Sequence, residues 1–200
     1  TESEMFSVHD ILEVTGGSCL NAESSQLKVT GVETDTRADC AGKLFVALRG
    51  ERFDGHQFLA AAVDAGATAV CVAKDRGADC VLPDEAVAIE VEDTLKAYQL
   101  LARARRRALK NLMVVALTGS SGKTSTKEIL SHILRQAFGE DAVYATKANT
   151  NNHVGVPQNV FNLTEAHRYA VLELGTNHFG EIEAIAAVAE PNVALLVSVG

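Results

Sequence analysis

The sequence lacks the features that mark several large classes of protein. Its four cysteines show no C-x-x-C spacing, so we interpret them as small core residues or free thiols in a reducing compartment. No amino-terminal signal peptide is recognisable, and no apolar stretch reaches the length of a membrane-spanning helix. These absences predict a cytoplasmic protein without membrane insertion.

Positive charge is also scarce. The formal net charge is −8, from 18 lysines and arginines against 26 acidic residues. The one basic cluster consists of Arg103, Arg105, Arg106, Arg107 and Lys110. It lies late in a predicted helix, where we expect it to complement the helix C-terminus and face solvent. Without a basic face, the sequence predicts no nucleic-acid partner.

Repeats and low-complexity tracts are absent, and the composition is that of a globular protein, with 47% apolar and 22% charged residues. Short apolar strands alternate with helical segments, which predicts an α/β fold with doubly wound, mostly parallel character in its second part. We expect a small α/β domain over residues 1–91, a helical connector over 92–111, and a domain over 112–200. Because the chain stops at the end of an apolar strand, we expect this last domain to be incomplete.

The individual elements are predicted from apolar runs, capping residues and glycines. In the first part they are a helix from Ser7 to Val14, strands Val29–Thr34 and Leu44–Leu48, a helix from His56 to Ala65 capped by Asp54, and strands Ala69–Val72 and Val87–Val91. A connecting helix capped by Asp93 runs to Ala108. In the second part the strands are Met113–Leu117, Val143–Ala145, Tyr169–Leu174 and Asn192–Val199, and the helices Lys127–Phe138, Val156–Phe161 and Glu181–Val188.

A phosphate-binding loop is predicted between an apolar strand and a helix. Its residues are Thr118, Gly119, Ser120, Ser121, Gly122, Lys123, Thr124 and Ser125. The glycines let backbone N–H groups approach phosphate oxygens at the positive end of a helix, while the lysine reaches the terminal phosphates and the threonine hydroxyl ligates Mg²⁺. Leu117 stands where the common pattern has a glycine, so this is a shortened T-G-x-x-G-K-T form. The alternative is an ordinary Gly-Ser turn with a solvated lysine.

Glu173 is the predicted acidic partner of this loop. It lies at the carboxyl end of the apolar strand Tyr169–Leu174, where a carboxylate is costly unless a cation or hydrogen bonds compensate it. Phosphate-binding loops use such an acidic residue for Mg²⁺. The alternative is a carboxylate turned to solvent or paired with a lysine.

Two polar loops follow other strands of the second part. The loop from Asn149 to Pro157 is rich in amides, which can bind phosphate or carboxylate oxygens, although Asn152 or His153 can equally cap a helix. The loop from Thr176 to Glu181 contains His178, which is either a contact to phosphate, substrate or metal or simply a polar loop residue.

The first part has two polar loops of its own, Thr34–Arg37 and Arg49–His56. Both follow strands, and both carry arginine or aromatic side chains suited to phosphate contact and stacking. Their spacing alone favours two solvated loops with a helix cap at Asp54.

Taken together, the motifs resemble those of the Mur ligases of peptidoglycan synthesis. They are Thr118–Ser125, Asn151-Asn152-x-x-Gly155-Val-Pro157, Glu173-Leu-Gly-x-Asn177-His178-x-Gly180-Glu181-Ile182, and Asp35-Thr36-Arg37 with Leu44–Leu48. The resemblance extends from about Val29 to Gly200, and within the family it favours the branch that adds D-alanyl-D-alanine.

This resemblance implies an ATP- and Mg²⁺-dependent ligase, expected to be monomeric, with UDP-N-acetylmuramoyl-tripeptide and D-alanyl-D-alanine as substrates and an acyl phosphate as intermediate. It implies substrate binding by Thr34, Asp35, Thr36, Arg37, Glu51, Arg52, Phe53, Asn149 and Asn177. It implies catalytic roles for Lys123, Asn152 and His178, and metal binding by Thr124 and Glu173.

Other functions remain open at this point. Another ligase of the wider superfamily, such as a folylpolyglutamate synthase, shares the shortened loop but lacks a uridine-binding first domain. A non-catalytic nucleotide-binding module or a P-loop switch is a second alternative, although the N-K-x-D motif of a GTPase is absent from these residues.

Overall fold

A computed structural model describes residues 4–21, 26–50, 53–76, 85–175 and 180–199 of the chain. The chain divides into two compact units, residues 1–101 and 102–200. The division falls inside one helix, Thr94–Ala108. Within the described residues, no helix is both long and apolar enough to cross a membrane.

The first unit contains a five-stranded sheet and a separate strand pair. Its strands are β1 (Phe6–Ser7), β2 (Ser18–Cys19), β3 (Lys28–Val29), β4 (Val32–Glu33), β5 (Leu44–Val46), β6 (Ala69–Ala73) and β7 (Val87–Val91). The sheet has the order β2-β7-β6-β5-β4 and is parallel except for β2, while β1 pairs with β3 in antiparallel fashion. The predicted strand Val29–Thr34 is wrong as a single element, because Val29 pairs with Phe6 and Val32 pairs with Leu44 in the other sheet.

Predicted capping residues precede three helical segments. The first unit contains α1 (Val8–Thr15) and α2 (Leu59–Asp64), which a 3₁₀ turn (Gly55–Phe58) precedes, and α3 (Thr94–Ala108) is the helix inside which the second unit begins. Ser7 and Asp10 form a reciprocal capping box at α1, and Gly16 ends that helix with a φ of 69°. Asp54 caps the 3₁₀ turn by accepting a hydrogen bond from the N–H of His56. The helix predicted over His56–Ala65 is thus a 3₁₀ turn followed by a short α-helix.

The second unit contains a parallel sheet with helices between its strands. The strands are β8 (Met113–Thr118), β9 (Val143–Ala145), β10 (Tyr169–Glu173) and β11 (Val193–Leu196), in the order β11-β8-β10-β9. The helices are α4 (Lys123–Phe138), α5 (Gly155–Phe161) and α6 (Glu181–Ala189), with a 3₁₀ turn at Glu140–Ala142. The predicted parallel α/β architecture is confirmed. The strand predicted over Asn192–Val199 is shorter, and it lies at the edge of the described sheet with all four of its residues exposed.

The arginines at the end of α3 do not form the solvated cluster that the sequence predicted. Arg106 is only 8% exposed, and its guanidinium donates to the carbonyl oxygens of Ala189 and Glu190 and to Oδ1 of Asn192. The Nη2 group of Arg105 donates to the carbonyl of Leu163. These arginines therefore bind carbonyl groups at the ends of neighbouring segments of the second unit instead of facing solvent.

Glu190 completes this arginine network. It ends α6 in a left-handed conformation, with a φ of 39°, and its carboxylate accepts hydrogen bonds from Arg103 at 2.7 Å and Arg107 at 2.6 Å. The hydrogen bonds from Arg107 and Arg103 lower the pKa of the Glu190 carboxyl to about 2.

We predict that Glu190→Gln lowers the free energy of unfolding by about 0.5–1 kcal/mol at neutral pH, a modest value because both arginines are partly exposed. A depressed folded-state pKa stabilises the protein above the ordinary value of 4.5, and this stabilisation is lost as the pH falls toward 2. In urea denaturation, the difference between variant and wild type should therefore shrink in acid. Glu13→Gln is the control, because Glu13 is an exposed carboxylate of α1 with no ion pair among the described residues. A difference independent of pH would contradict the assignment.

Candidate functional site

The predicted phosphate-binding loop has the backbone that its glycines allow. Gly119 has a φ of 137° and Gly122 a φ of 81°. A Cβ atom on Gly119 would lie 2.8 Å from the backbone nitrogen and oxygen of Ser198, so only glycine fits there. Helix α4 begins directly after Gly122, four residues earlier than predicted. The N–H groups of its first turn, which have no acceptor inside a helix, are therefore part of the loop.

Lys123 and Thr124 occupy the first two positions of α4. The Nζ atom of Lys123 donates to the carbonyl oxygen of Gly119 at 2.6 Å, which places the ammonium group over the loop. The hydroxyl of Thr124 donates to Oε2 of Glu173 at 3.1 Å. The alternative of an ordinary turn with a solvated lysine does not describe this geometry.

Glu173 is a buried carboxylate, 5% exposed, at the end of β10. Its Oε2 atom accepts from Thr124, and its Oε1 atom accepts from Nδ2 of Asn151 at 3.2 Å. Among the described residues no cationic side chain lies within 4.0 Å of it, which excludes a lysine pair there. Two neutral donors, the ones found among the described residues, compensate a buried carboxylate only in part, so the site is suited to a cation.

The residues present fit a Mg²⁺ ion. Carboxylate and hydroxyl oxygens are hard ligands, and Mg²⁺ is typically held by one or two of them together with phosphate oxygens and water. No group of three or more His, Cys, Asp and Glu side chains converges anywhere in the described chain, this site included. The pair formed by Thr124 and Glu173 is thus the candidate metal site in that part of the molecule.

Ser198 also contacts the loop, a contact that the sequence did not predict. Its carbonyl accepts from the N–H of Ser120 and its Oγ atom accepts from the N–H of Ser121, both at 3.1 Å. The hydroxyl of Ser120 lies 2.8 Å from the same Oγ atom. The end of β11 therefore fixes the two serines of the loop.

The amide-rich loop gives each of its asparagines a different role. Oδ1 of Asn152 accepts from the N–H groups of Val154 and Gly155, so it caps the start of α5, as one of the two interpretations of this loop expected. Asn149 is exposed, and Asn151 reaches Glu173. The catalytic role of Asn152 and the substrate contact of Asn149 stay predictions.

In the first unit, both polar loops line one cavity of about 490 Å³. Its walls are Thr34, Asp35, Thr36, Arg37, Phe45, Phe53, Gly55 and Phe58. The rings of Phe53 and Phe58 are 55% and 43% exposed, unusually open for phenylalanine. The loops that spacing alone left as two separate solvated turns therefore share one concave surface, and Phe58 is a member that the sequence did not indicate.

Local bonds hold the two loops in place. Arg37 donates through Nε and Nη2 to both carboxylate oxygens of Asp35, which lowers the pKa of Asp35 to about 2. His56 is buried, and its Nε2 atom accepts from the N–H of Ala73, so a neutral ring donates from Nδ1 to Asp54 at 2.6 Å. Four further predicted site residues, Glu51, Arg52, Asn177 and His178, lie outside the described residues.

Comparison with known proteins supports the resemblance. Residues 28–106 match the family model described as "Mur ligase family, catalytic domain", and residues 117–200 match "Mur ligase middle domain". The UDP-N-acetylmuramoyl-tripeptide–D-alanyl-D-alanine ligase of Synechocystis is 39% identical over 196 residues, 98% of this chain. The chain belongs to the Mur ligase family.

Solved Mur ligase structures agree with the fold. A crystal structure of MurF from Acinetobacter baumannii matches 97% of this chain with a TM-score of 0.83 and 36% identity, over 41% of its own length. MurF ligase from Thermotoga maritima in complex with ADP matches 85% of this chain with a TM-score of 0.72 and 33% identity, over 38% of its own length. This Mur ligase chain likewise spans 41% of the Synechocystis ligase.

Behind the loop of this Mur ligase chain lies a buried layer that fixes the backbone of Glu173. Oγ1 of Thr146 accepts from the N–H of Glu173 at 2.9 Å, and the carbonyl of Thr146 accepts from Nζ of Lys127 at 2.9 Å. Thr146 and Lys127 are both only 3% exposed. Nothing in the sequence distinguishes Lys127 from a surface lysine of a helix.

We predict that Thr146→Val lowers the free energy of unfolding by about 1–3 kcal/mol, because the substitution keeps the shape but leaves the buried N–H of Glu173 without an acceptor. Chemical denaturation of the chain measures it. Thr68→Val is the matched control, since the buried Oγ1 atom of Thr68 has no hydrogen-bond partner among the described residues. That variant should be neutral or stabilising. Equal effects of the two variants would refute the assigned bond.

Proposed function

We propose that the chain is part of an ATP-dependent ligase that joins D-alanyl-D-alanine to UDP-N-acetylmuramoyl-tripeptide in cell-wall synthesis. The observation that carries the proposal is the convergence of Lys123, Thr124 and Glu173 at a glycine loop, in a chain whose relatives are named for this reaction. The ADP complex of the Thermotoga maritima enzyme supports a nucleotide at this fold.

In this proposal the second unit binds ATP. The N–H groups in the first turn of α4 hold the phosphate oxygens. The ammonium of Lys123, which donates to the Gly119 carbonyl in this structure, holds them as well. Thr124 and Glu173 hold Mg²⁺, which when bound neutralises charge on the phosphates. The buried position of Glu173 supports this role because it gives the carboxylate few other ways to be compensated.

The first unit binds the UDP end of the substrate. Phe53 and Phe58 offer exposed ring faces on which a uracil can stack. Arg37 and the hydroxyls of Thr34 and Thr36 are suited to the diphosphate, since guanidinium and hydroxyl groups bind phosphate oxygens well. Glu51 and Arg52 remain assigned to the same site as predictions.

The chemistry divides into two displacements. A carboxylate oxygen of the tripeptide attacks the γ-phosphorus of ATP, and the bond to ADP breaks. The amine of D-alanyl-D-alanine then attacks the acyl carbon, loses a proton, and inorganic phosphate leaves with the bonding electrons. The protein's part is to position the reactants and neutralise charge. Asn149, Asn152, Asn177 and His178 are proposed to contact the reacting groups.

Two alternatives are distinguished by ligand. Another ligase of the superfamily would bind ATP here but would accept a different second substrate, and a folate-type enzyme would not bind UDP. A nucleotide-binding module without ligase activity would bind ATP but would release no ADP and inorganic phosphate when both ligase substrates are present. A cytoplasmic location and a monomeric state are part of the proposal.

We predict that Gly119→Ala weakens ADP binding by about tenfold or more, because its Cβ would collide with the backbone of Ser198 and displace the loop. Calorimetric titration of the 200-residue chain with ADP is the measurement. Gly139→Ala is the control: Gly139 has a φ of 94° but open space around the missing Cβ, so that variant carries backbone strain alone. Equal loss of ADP affinity in both would argue against the loop as the nucleotide site.

We also predict that Phe53→Ala weakens binding of UDP-N-acetylmuramoyl-tripeptide by about tenfold, the loss of one stacked base, while ADP affinity stays unchanged. Titration of the chain with each ligand checks this. Leu20→Ala, which removes another exposed apolar side chain of the first unit, should change neither. In the complete ligase, the product must also depend on D-alanyl-D-alanine. No binding of the UDP-linked substrate by the folded wild-type chain would overturn the proposal.

A further inference from the structure

We infer that Asn151 is a positioning residue for the metal-binding carboxylate of Glu173, an inference that rests on the proposed nucleotide and Mg²⁺ site. Of the two hydrogen bonds to the carboxylate oxygens within the described chain, one comes from Thr124, itself a proposed metal ligand, and the other from Asn151. Of these two donors, Asn151 is the one that does not belong to the proposed ligand set.

The orientation of the Asn151 amide follows from charge. Its Nδ2 atom lies 3.2 Å from Oε1 of Glu173. The opposite orientation would place the amide oxygen against a carboxylate oxygen, with no proton between the two acceptors. The terminal torsion of a glutamate is broad, so a carboxylate held by Thr124 alone can rotate. A donor on Oε1 restricts that rotation and leaves Oε2 directed at Thr124 and the loop.

Gly175 fixes the amide from the other side. A Cβ atom at Gly175 would lie 2.7 Å from Cγ and 2.8 Å from Nδ2 of Asn151, so the absence of a side chain creates the space that the amide fills. The N–H of Gly175 also donates to the carbonyl of Asn151 at 2.8 Å. Gly175 does not have a positive φ, so its backbone tolerates alanine. Gly175→Ala should therefore displace the Asn151 amide without straining the backbone.

These contacts permit two independent perturbations of one hydrogen bond. Asn151→Ala removes the donor, and Gly175→Ala displaces it. Each variant should weaken Mn²⁺ binding to the ADP-loaded 200-residue chain by about tenfold, a typical loss when the partner of a metal ligand is removed. Mn²⁺ replaces Mg²⁺ here because its electron paramagnetic resonance signal reports bound and free metal directly. The affinity for ADP in the absence of metal should stay unchanged. A general structural defect would lower that affinity as well.

The two variants should also be non-additive. In the Asn151→Ala background the amide is gone, so Gly175→Ala has nothing left to displace, and the double variant should bind Mn²⁺ no more weakly than Asn151→Ala alone. Gln158→Ala, which removes an exposed amide from α5, is the control and should bind Mn²⁺ like the wild type. Urea denaturation confirms that each variant is folded.

The outcomes separate this inference from the proposed function. If the wild-type chain binds ADP but retains no Mn²⁺, the metal site itself is wrong and the inference is overturned with it. If the wild type binds both and the two single variants bind Mn²⁺ normally, only the role of Asn151 is overturned. Additive losses in the double variant would likewise show that the two residues act separately and would overturn the inference.

Discussion

The second unit is organised around one buried negative charge. Glu173 ends the strand β10, which lies between β8 and β9, and the parallel register places it opposite Leu117, one residue before the glycine loop begins. The glycine loop follows β8 and the asparagine-rich segment follows β9, both at this edge of the sheet. Thr124, Asn151 and Thr146 therefore contact the same glutamate. A buried carboxylate whose donors within the described ranges are all neutral is suited to binding a cation.

The candidate site of the first unit also lies at the carboxyl ends of parallel strands, but its side chains are of a different chemical kind. The segment Thr34–Arg37 follows β4, and the segment that contains Phe53 follows β5, so side chains distant in sequence line one cavity. Ligands of open α/β sheets bind at the carboxyl ends of strands, and the candidate sites of both units lie at such ends. Here exposed aromatic rings replace the buried charge, and the Asp35–Arg37 pair and the Asp54–His56 contact hold the loops. Each unit can therefore be tested with its own ligand.

Local signals predicted most of the elements and the centre of the site. The bounds of β7 and β9 and the capping of α1 agree with the sequence, because apolar runs and capping residues act over a few neighbouring positions. The glycine loop and Glu173 were predicted for the same reason. The arginines of α3 were misjudged since their acceptors, which include Leu163, Ala189 and Glu190, lie 58 to 87 residues away along the chain. The start of α4 was predicted too late, because its first turn follows the glycine loop directly and was assigned to the loop.

The sequence by itself determined the α/β alternation, the glycine loop with Lys123 and Thr124, and the presence of an acidic residue at the end of β10. Only the tertiary structure decided which asparagine of the amide-rich loop faces that residue. Asn149, Asn151 and Asn152 have the same side chain, and an irregular loop has no periodicity to assign their directions. Contacts with Gly175 and Glu173 direct Asn151 inward, while the first turn of α5 binds Asn152. Those partners are brought together by folding and not by sequence spacing, so no local pattern could distinguish the three.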